Sequence, residues 1–121
     1  MSPSTVQDLV GFPASALVAA GYSRKPGTQP MRRSIAQWEV EFEDTARLYD
    51  MIPTLINGIG GADHLATVKH AVAPEFFEVD IAMWIKDSEA QEGGLIELTS
   101  LEMLTKMGAT LSFGFYSRNL E

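Results

Sequence analysis

The sequence contains no cysteine among its 121 residues. Disulfides, zinc sites with thiolate ligands and cysteine nucleophiles are therefore excluded together. Histidine is scarce as well, since His64 and His70 are the two in the chain. Six positions on a helix turn two side chains about 240° apart, whereas a helical metal-binding pair has a spacing of three or four. We expect no metal site and no cofactor.

Basic residues are few, with nine lysines and arginines against sixteen acidic residues and a formal charge of -7. Such a chain repels a phosphate backbone, so nucleic acid is not an expected partner. The longest mainly apolar run, residues 9–22, is shorter than the roughly 18 residues of a membrane helix and contains Pro13 and Gly21. The residues before it lack the lysine or arginine of a secretion signal. We expect a cytoplasmic protein that does not bind membranes.

Recognisable catalytic motifs are missing too. No serine lies in a GxSxG or SxxK pattern. The GIGG sequence at 58–61 precedes a helix, but phosphate-binding loops follow a strand and usually add a lysine, so a helix-to-helix turn is favoured. The length fits a single domain over 1–121. Leu120 and Glu121 follow a natural-looking end at Asn119 and are interpreted as the remnant of a cloning tag.

Alternating side chains predict three strands. In residues 37–43 the glutamates alternate with apolar side chains, and this is the cleanest alternation in the chain. Residues 76–85 have one apolar row and one row that is acidic in its middle and aromatic at both ends. Residues 111–115 alternate apolar with small or polar residues. The apolar rows are Trp38, Val40 and Phe42; Phe77, Val79, Ile81, Met83 and Ile85; and Leu111, Phe113 and Phe115.

Three helices are predicted from apolar residues three and four apart. The first covers about 48–59, where Pro53 is expected to produce a kink near Tyr49 or a start close to Asp50. The second covers 62–72 and turns Leu65, Val68 and Val72 inward. In the third, over 99–107, Thr99 with Glu102 fits a capping box, Leu98 with Met103 fits a hydrophobic staple, and Gly108 fits a left-handed C-terminal cap.

Residues 1–36 leave alternatives open. Ser4 with Gln7, and Pro13 with Gly21, have the character of the ends of short helices, while the segment 17–23 is equally typical of a strand. The sequence as a whole predicts an α+β two-layer sandwich, in which a small, mainly antiparallel or mixed sheet has helices on one face. Its expected order is strand, helices, strand, helix, strand. Expected core residues are Leu101, Leu104, Phe113 and Phe115.

The order of these features resembles a bacterial family known as domain of unknown function 4279. The resemblance covers roughly residues 23–117. It rests on a loop with Arg24, Lys25 and Gly27, a strand led by Trp38, and the closing unit of helix, glycine and alternating strand. It implies a fold and assigns no catalytic residue.

The most informative feature is the row formed by Glu39, Glu41 and Glu43. If the strands at 38 and 77 are neighbours, Glu78 and Asp80 join this row on the open face of the sheet. An exposed sheet face is often simply solvated. Clustered like charge nevertheless costs stability that a cationic partner would restore. The leading hypothesis is a non-catalytic, acidic bacterial immunity protein or inhibitor that masks a basic effector such as a nuclease toxin, with Trp84 as an aromatic anchor.

Two other function classes remain as alternatives. One is an enzyme or small-molecule-binding domain whose pocket is lined by Trp38, Trp84 and Tyr49, together with basic residues of the loop at 23–33. The other is a structural module that self-associates through a sheet edge. Within that loop, solvation is favoured over anion binding. Its basic residues are Arg24, Lys25, Arg32 and Arg33.

Overall fold

The chain has an α+β fold. A computed structural model describes residues 1–23, 26–43, 45–84 and 94–116. The predicted fold class is confirmed, and the strand, helices, strand, helix, strand order is found from the second strand onward. The elements are α1 (Pro3–Val10), β1 (Ala16–Val18), β2 (Ile35–Gln37), α2 (Leu48–Gly58), α3 (Ala62–Val72), β3 (Glu78–Trp84), α4 (Leu98–Met107) and β4 (Thr110–Tyr116).

The N-terminal region contains one helix and one strand. The hydroxyl of Ser2 accepts a hydrogen bond from the backbone N–H of Thr5 at 3.2 Å, which caps the start of α1. Gly11 ends α1 in the left-handed conformation, with a φ of 86°. Of the two possibilities for residues 17–23, the strand is correct for residues 17 and 18 alone, because β1 ends at Val18; it pairs with β2 in an antiparallel arrangement.

Helices α2 and α3 provide the centre of the core. Ile52 and Ile56 of α2, with Leu65 and Val68 of α3, are buried as their spacing predicts. Pro53 lies inside α2, which begins at Leu48, so the alternative start near Asp50 is wrong. The glycines between the two helices have positive φ values, as a turn that joins helices requires.

Helix α4 ends as predicted and begins differently. Gly108 adopts the left-handed conformation with a φ of 68°. The predicted capping box and hydrophobic staple are wrong, because the helix begins at Leu98 and its N-cap is Glu97, which makes no side-chain capping bond. Thr99 is therefore the second helical residue, and its hydroxyl is no longer at the position from which a cap is made.

Strands β3 and β4 pair in parallel, and α4 forms the crossover between them. The register places Glu78 beside Thr110, Ile81 beside Phe113, and Trp84 beside Tyr116. Within the described ranges the strands are thus divided between two two-stranded sheets, one antiparallel and one parallel.

The strand predicted over 37–43 is wrong, because β2 ends at Gln37. Continuing the register would place Trp38 to Val40 beside Ser15, Ala14 and Pro13. Pro13 has no N–H, and the N–H of Ala14 is bound by the side chain of Gln7 at 2.8 Å. The N–H of Ser15 still donates to the carbonyl oxygen of Gln37 at 2.7 Å, but Ala14 and Pro13 provide no N–H for further ladder bonds, so the pairing ends there.

The hydrophobic core is built from residues of α1, α2, α3, β3 and α4. Leu104 belongs to it as predicted, but the expectation is wrong for Leu101, Phe113 and Phe115, which are exposed. Phe113 is 48% exposed although it shares a sheet face with the buried Ile81. On this face of β4, Leu111 is half-buried against the core, whereas Phe113 and Phe115 extend beyond it. The core residues are Val10, Ile52, Ile56, Leu65, Val68, Val79, Ile81, Leu104 and Met107.

Candidate protein-binding site

Glu78 and Asp80 lie on the face of β3 that points away from the core. Alternation along the strand buries Val79 and Ile81 on the other face and leaves the two carboxylates exposed. Asp80 accepts a hydrogen bond from the hydroxyl of Ser112, its neighbour on β4. This contact between the two strands fixes one oxygen of the carboxylate and leaves the group at the surface.

Glu39, Glu41 and Glu43 are exposed as predicted, but on a segment outside the strands. The N–H of Glu39 donates to the hydroxyl of Ser15 at 2.8 Å, and its carboxylate accepts from the side-chain amide of Gln37 at 3.2 Å. These contacts hold the start of the segment against the β1–β2 hairpin.

The two acidic groups do not lie on one sheet face. β3 pairs with β4 and β2 pairs with β1, so the predicted neighbourhood of the strands at 38 and 77 is wrong. All five residues nevertheless line a single open groove, to which residues 31–49 and 74–83 contribute together with parts of α1, α2, α3 and β4. We call it the acidic groove. It is defined by Glu39, Glu41, Glu43, Glu78 and Asp80.

Four cationic residues border the same groove, and two of them are engaged by this chain. Arg33 forms an ion pair with Glu75, in which Nε contacts Oε2 and Nη2 lies 3.3 Å from Oε1. The hydrogen bond and the charge of Glu75 raise the pKa of Arg33 above its ordinary value. Lys69 donates to a backbone carbonyl. The remaining two are Arg32 and Arg47, which are exposed.

Arg33 also covers an aromatic ring at the edge of the groove. Its guanidinium carbon lies 4.9 Å from the ring centroid of Phe76, which is 61% exposed. Arg33 is thus held between a carboxylate and a ring of its own chain. Arg24 and Lys25, the other half of the basic loop, lie outside the described residues.

Of the aromatic residues predicted to line a pocket, Trp38 is half-buried and Tyr49 is exposed. Trp38 packs against the core, and its indole N–H donates to the carbonyl oxygen of Phe12 at 2.9 Å. The indole therefore has a structural partner. Trp84 is the last residue of β3 and its side chain lies outside the described residues. Tyr49 is exposed on α2.

The two histidines lie in different environments. A ring nitrogen of His64 lies 2.7 Å from the carbonyl oxygen of Val10, which ties the start of α3 to the end of α1. His70 is exposed. In the part of the chain that the structure describes, no three histidine or carboxylate side chains are grouped so as to hold a metal ion. None of the helices described has the length and apolar character of a membrane span.

Sequence reasoning missed the exposed face of β4. Phe113 and Phe115 alternate as buried residues do, which led to their assignment to the core. A signal was present in the composition, because all seven residues from Thr110 to Tyr116 are uncharged. An exposed strand in a soluble protein usually carries charge at its edge.

Comparisons with known protein families, with curated proteins and with solved structures give no match to this chain.

Proposed function

We propose that this chain is a non-catalytic binding protein that holds a basic protein partner along the acidic groove. Its most concrete form is a small acidic bacterial immunity protein or inhibitor that masks a basic effector such as a nuclease toxin. The observation that carries the proposal is that five exposed acidic residues from two separate segments line one groove.

Among the residues that the structure describes, none forms an ion pair with these carboxylates. The two ion pairs found among the described residues are Arg33 with Glu75 and Lys106 with Asp63, and neither uses an acid of the groove. The charge of -7 for the whole chain adds a long-range attraction for a cationic partner. Unpaired like charge at one surface is the electrostatic complement of a basic protein surface.

Tight binding needs buried apolar anchors in addition to charge. Phe76 and Tyr49 border the groove and are exposed, so a partner that enters it covers aromatic surface between the two acidic segments. The guanidinium of Arg33 holds the Phe76 ring from one side and reduces the entropy lost when a partner contacts it. Trp84, the anchor predicted from the sequence, stays a prediction because its side chain lies outside the described residues.

The resemblance to domain of unknown function 4279 stays a prediction. It implies a fold without an assigned active site, which agrees with a binding protein. The resemblance does not identify a binding partner.

The experiment begins with capture of the partner on the wild-type chain and measures its association rate at increasing salt. The double variant Glu39→Lys with Glu41→Lys should keep the fold, slow association at least tenfold at low salt, and flatten the salt dependence. If the captured partner is a nuclease, inhibition of its activity by the wild-type chain is measured in parallel.

The matched control places the same change of charge elsewhere. Asp8 on α1 and Glu102 on α4 are exposed and do not border the acidic groove. Asp8→Lys with Glu102→Lys should slow association much less than the groove variant. Equal effects of the two double variants would show that net charge alone attracts the partner and that the acidic groove is an ordinary solvated surface.

A further inference from the structure

The outer edge of β4 is a seven-residue strand edge without charge. Thr110 to Tyr116 contains no charged residue, whereas β3 carries Glu78 and Asp80. The described part of the β3–β4 sheet has these two strands, so β4 has a strand on one side. Isolated two-stranded sheets are marginally stable in water, and parallel sheets are normally covered on both faces. One face of this sheet packs on the core through Val79 and Ile81, while Glu78 and Asp80 on the other face are exposed.

The parallel register shows which backbone groups point outward. The N–H of Thr110 donates to the carbonyl oxygen of Phe77 at 2.9 Å, so Thr110 faces β3. Because backbone groups alternate along a strand, Ser112 and Gly114 also face β3. Leu111, Phe113 and Phe115 therefore direct their N–H and C=O groups to the outer edge. Their side chains project from one face, where Phe113 is 48% and Phe115 is 62% exposed.

We propose that two copies of this chain pair antiparallel through the outer edges of β4, with the two-fold axis at Phe113. A four-stranded sheet results, in the order β3, β4, β4 of the second copy and β3 of the second copy. The inference concerns the outer backbone edge of β4, although the side chains of Phe113 and Phe115 belong to residues that also line the acidic groove. It goes beyond the proposed function because its partner is a second copy of this chain.

A second copy is the occupant that the charge pattern favours. The chain as a whole is charged -7 and repels itself, so self-association requires a contact without acids. In a pairing centred on Phe113, Leu111 lies opposite Phe115 of the other copy, Ser112 lies opposite Gly114, and no charged pair is created. Pairing through β3 would instead bring Glu78 and Asp80 of two copies together.

The hydrogen-bond geometry agrees with this register. Phe113 is an outward-facing residue, so the two Phe113 residues exchange both N–H to carbonyl bonds as a hydrogen-bonded pair. Outward groups of Leu111 and Phe115 bond in the same way on either side. The exposed phenylalanines then form cross-strand apolar pairs, the contacts that stabilise antiparallel sheets. A two-fold contact is self-complementary, as a closed dimer requires.

The first experiment measures mass by light scattering and ultracentrifugation over a range of concentrations. The wild-type chain should be a dimer, and Phe115→Lys should raise the dimer dissociation constant at least tenfold. Leu101→Lys is the matched control, because it puts the same charge on an exposed leucine of α4 and should leave the dissociation constant unchanged. A wild-type monomer at all concentrations, or equal weakening by both variants, would overturn the proposal.

A second experiment tests the register and uses the absence of native cysteine. In the Phe113→Cys variant the two α-carbons lie about 5.5 Å apart across the axis, within disulfide range. In Phe115→Cys they lie about 14 Å apart, since four residue steps separate them along the strands. Mild oxidation should link Phe113→Cys into a covalent dimer and leave Phe115→Cys mostly monomeric on denaturing gels. Similar linking of both, or linking of the second alone, would contradict this pairing.

Discussion

The ammonium group of Lys69 on α3 donates a hydrogen bond of 2.6 Å to the carbonyl oxygen of Gly108, the residue that ends α4. The C-terminal end of a helix carries partial negative charge and carbonyl groups without intrahelical partners. The same ammonium lies 5.7 Å from the ring centroid of Phe77, just before β3. One side chain thus joins α3, the end of α4 and the start of the β3–β4 sheet.

Replacing Lys69 by methionine should lower the free energy of unfolding by about 1–2 kcal/mol, because a charged hydrogen bond is lost while the apolar stem is kept. Urea unfolding measures the change. Lys106→Met is the control, since Lys106 forms an exposed ion pair with Asp63 at 2.9 Å and should cost less than about 0.5 kcal/mol. Equal losses would show that the contact with Gly108 adds no more than a surface ion pair.

The parts of the fold that the sequence predicts well are those with local causes. Helix α3 ends where its periodic apolar residues end, and Gly108 provides the positive φ that closes α4. Strands β3 and β4 also appear where alternation places them. In each case the signal and the structure lie within about ten residues of one another, so tertiary contacts need only agree with a local preference.

The errors concern contacts between distant segments. Alternation in residues 37–43 describes which side chains can share a face. It does not reveal that the segment beside them contains Pro13, 25 positions before Trp38, which has no N–H for a ladder hydrogen bond. Exposure of Phe113 has the same origin, because alternation does not reveal how far the helices extend across a sheet. For the acidic groove, sequence reasoning identified the exposed carboxylates but not the arrangement that brings them together.

Ser100 provides a test in which stability should increase. It is 1% exposed, and its hydroxyl has no hydrogen-bond partner among the described residues. An unsatisfied buried hydroxyl retains its desolvation penalty, and alanine is also the better helix former. Ser100→Ala should therefore raise the free energy of unfolding by about 0.5–1.5 kcal/mol. Thr99→Ala, at an exposed neighbour, measures the effect of helix preference alone. If Ser100→Ala raises the free energy of unfolding by no more than Thr99→Ala does, the buried hydroxyl carries no desolvation penalty.

Burial predicts a strong contrast between two apolar truncations. Ile56 is 1% exposed at the centre of the core, whereas Phe115 is 62% exposed. Ile56→Ala should cost about 2–5 kcal/mol because it removes buried methyl groups and leaves a cavity. Phe115→Ala should cost less than about 1 kcal/mol when unfolding is measured at a concentration where the chain is monomeric. If Phe115→Ala lowers the free energy of unfolding as much as Ile56→Ala does, Phe115 is a core residue.

Replacing Gly58, the last residue of α2, and Gly60, in the turn after it, by alanine should change the free energy of unfolding in opposite directions. Gly60 has a φ of 112°, and a β-carbon there would lie 2.4 Å from Cδ2 of His64. The imidazole cannot easily move away, because its Nε2 lies 2.7 Å from the carbonyl oxygen of Val10. Gly60→Ala should therefore lower the free energy of unfolding by about 2 kcal/mol or more, from backbone strain and from the collision.

Gly58 is the last residue of α2 and has open space around it. Gly58→Ala should therefore raise the free energy of unfolding by about 0.5–1 kcal/mol, through helix preference and a less flexible unfolded chain. Thermal and urea unfolding of the two variants measure the difference, and a shift of the same sign in both would show that the turn does not depend on the positive φ of Gly60.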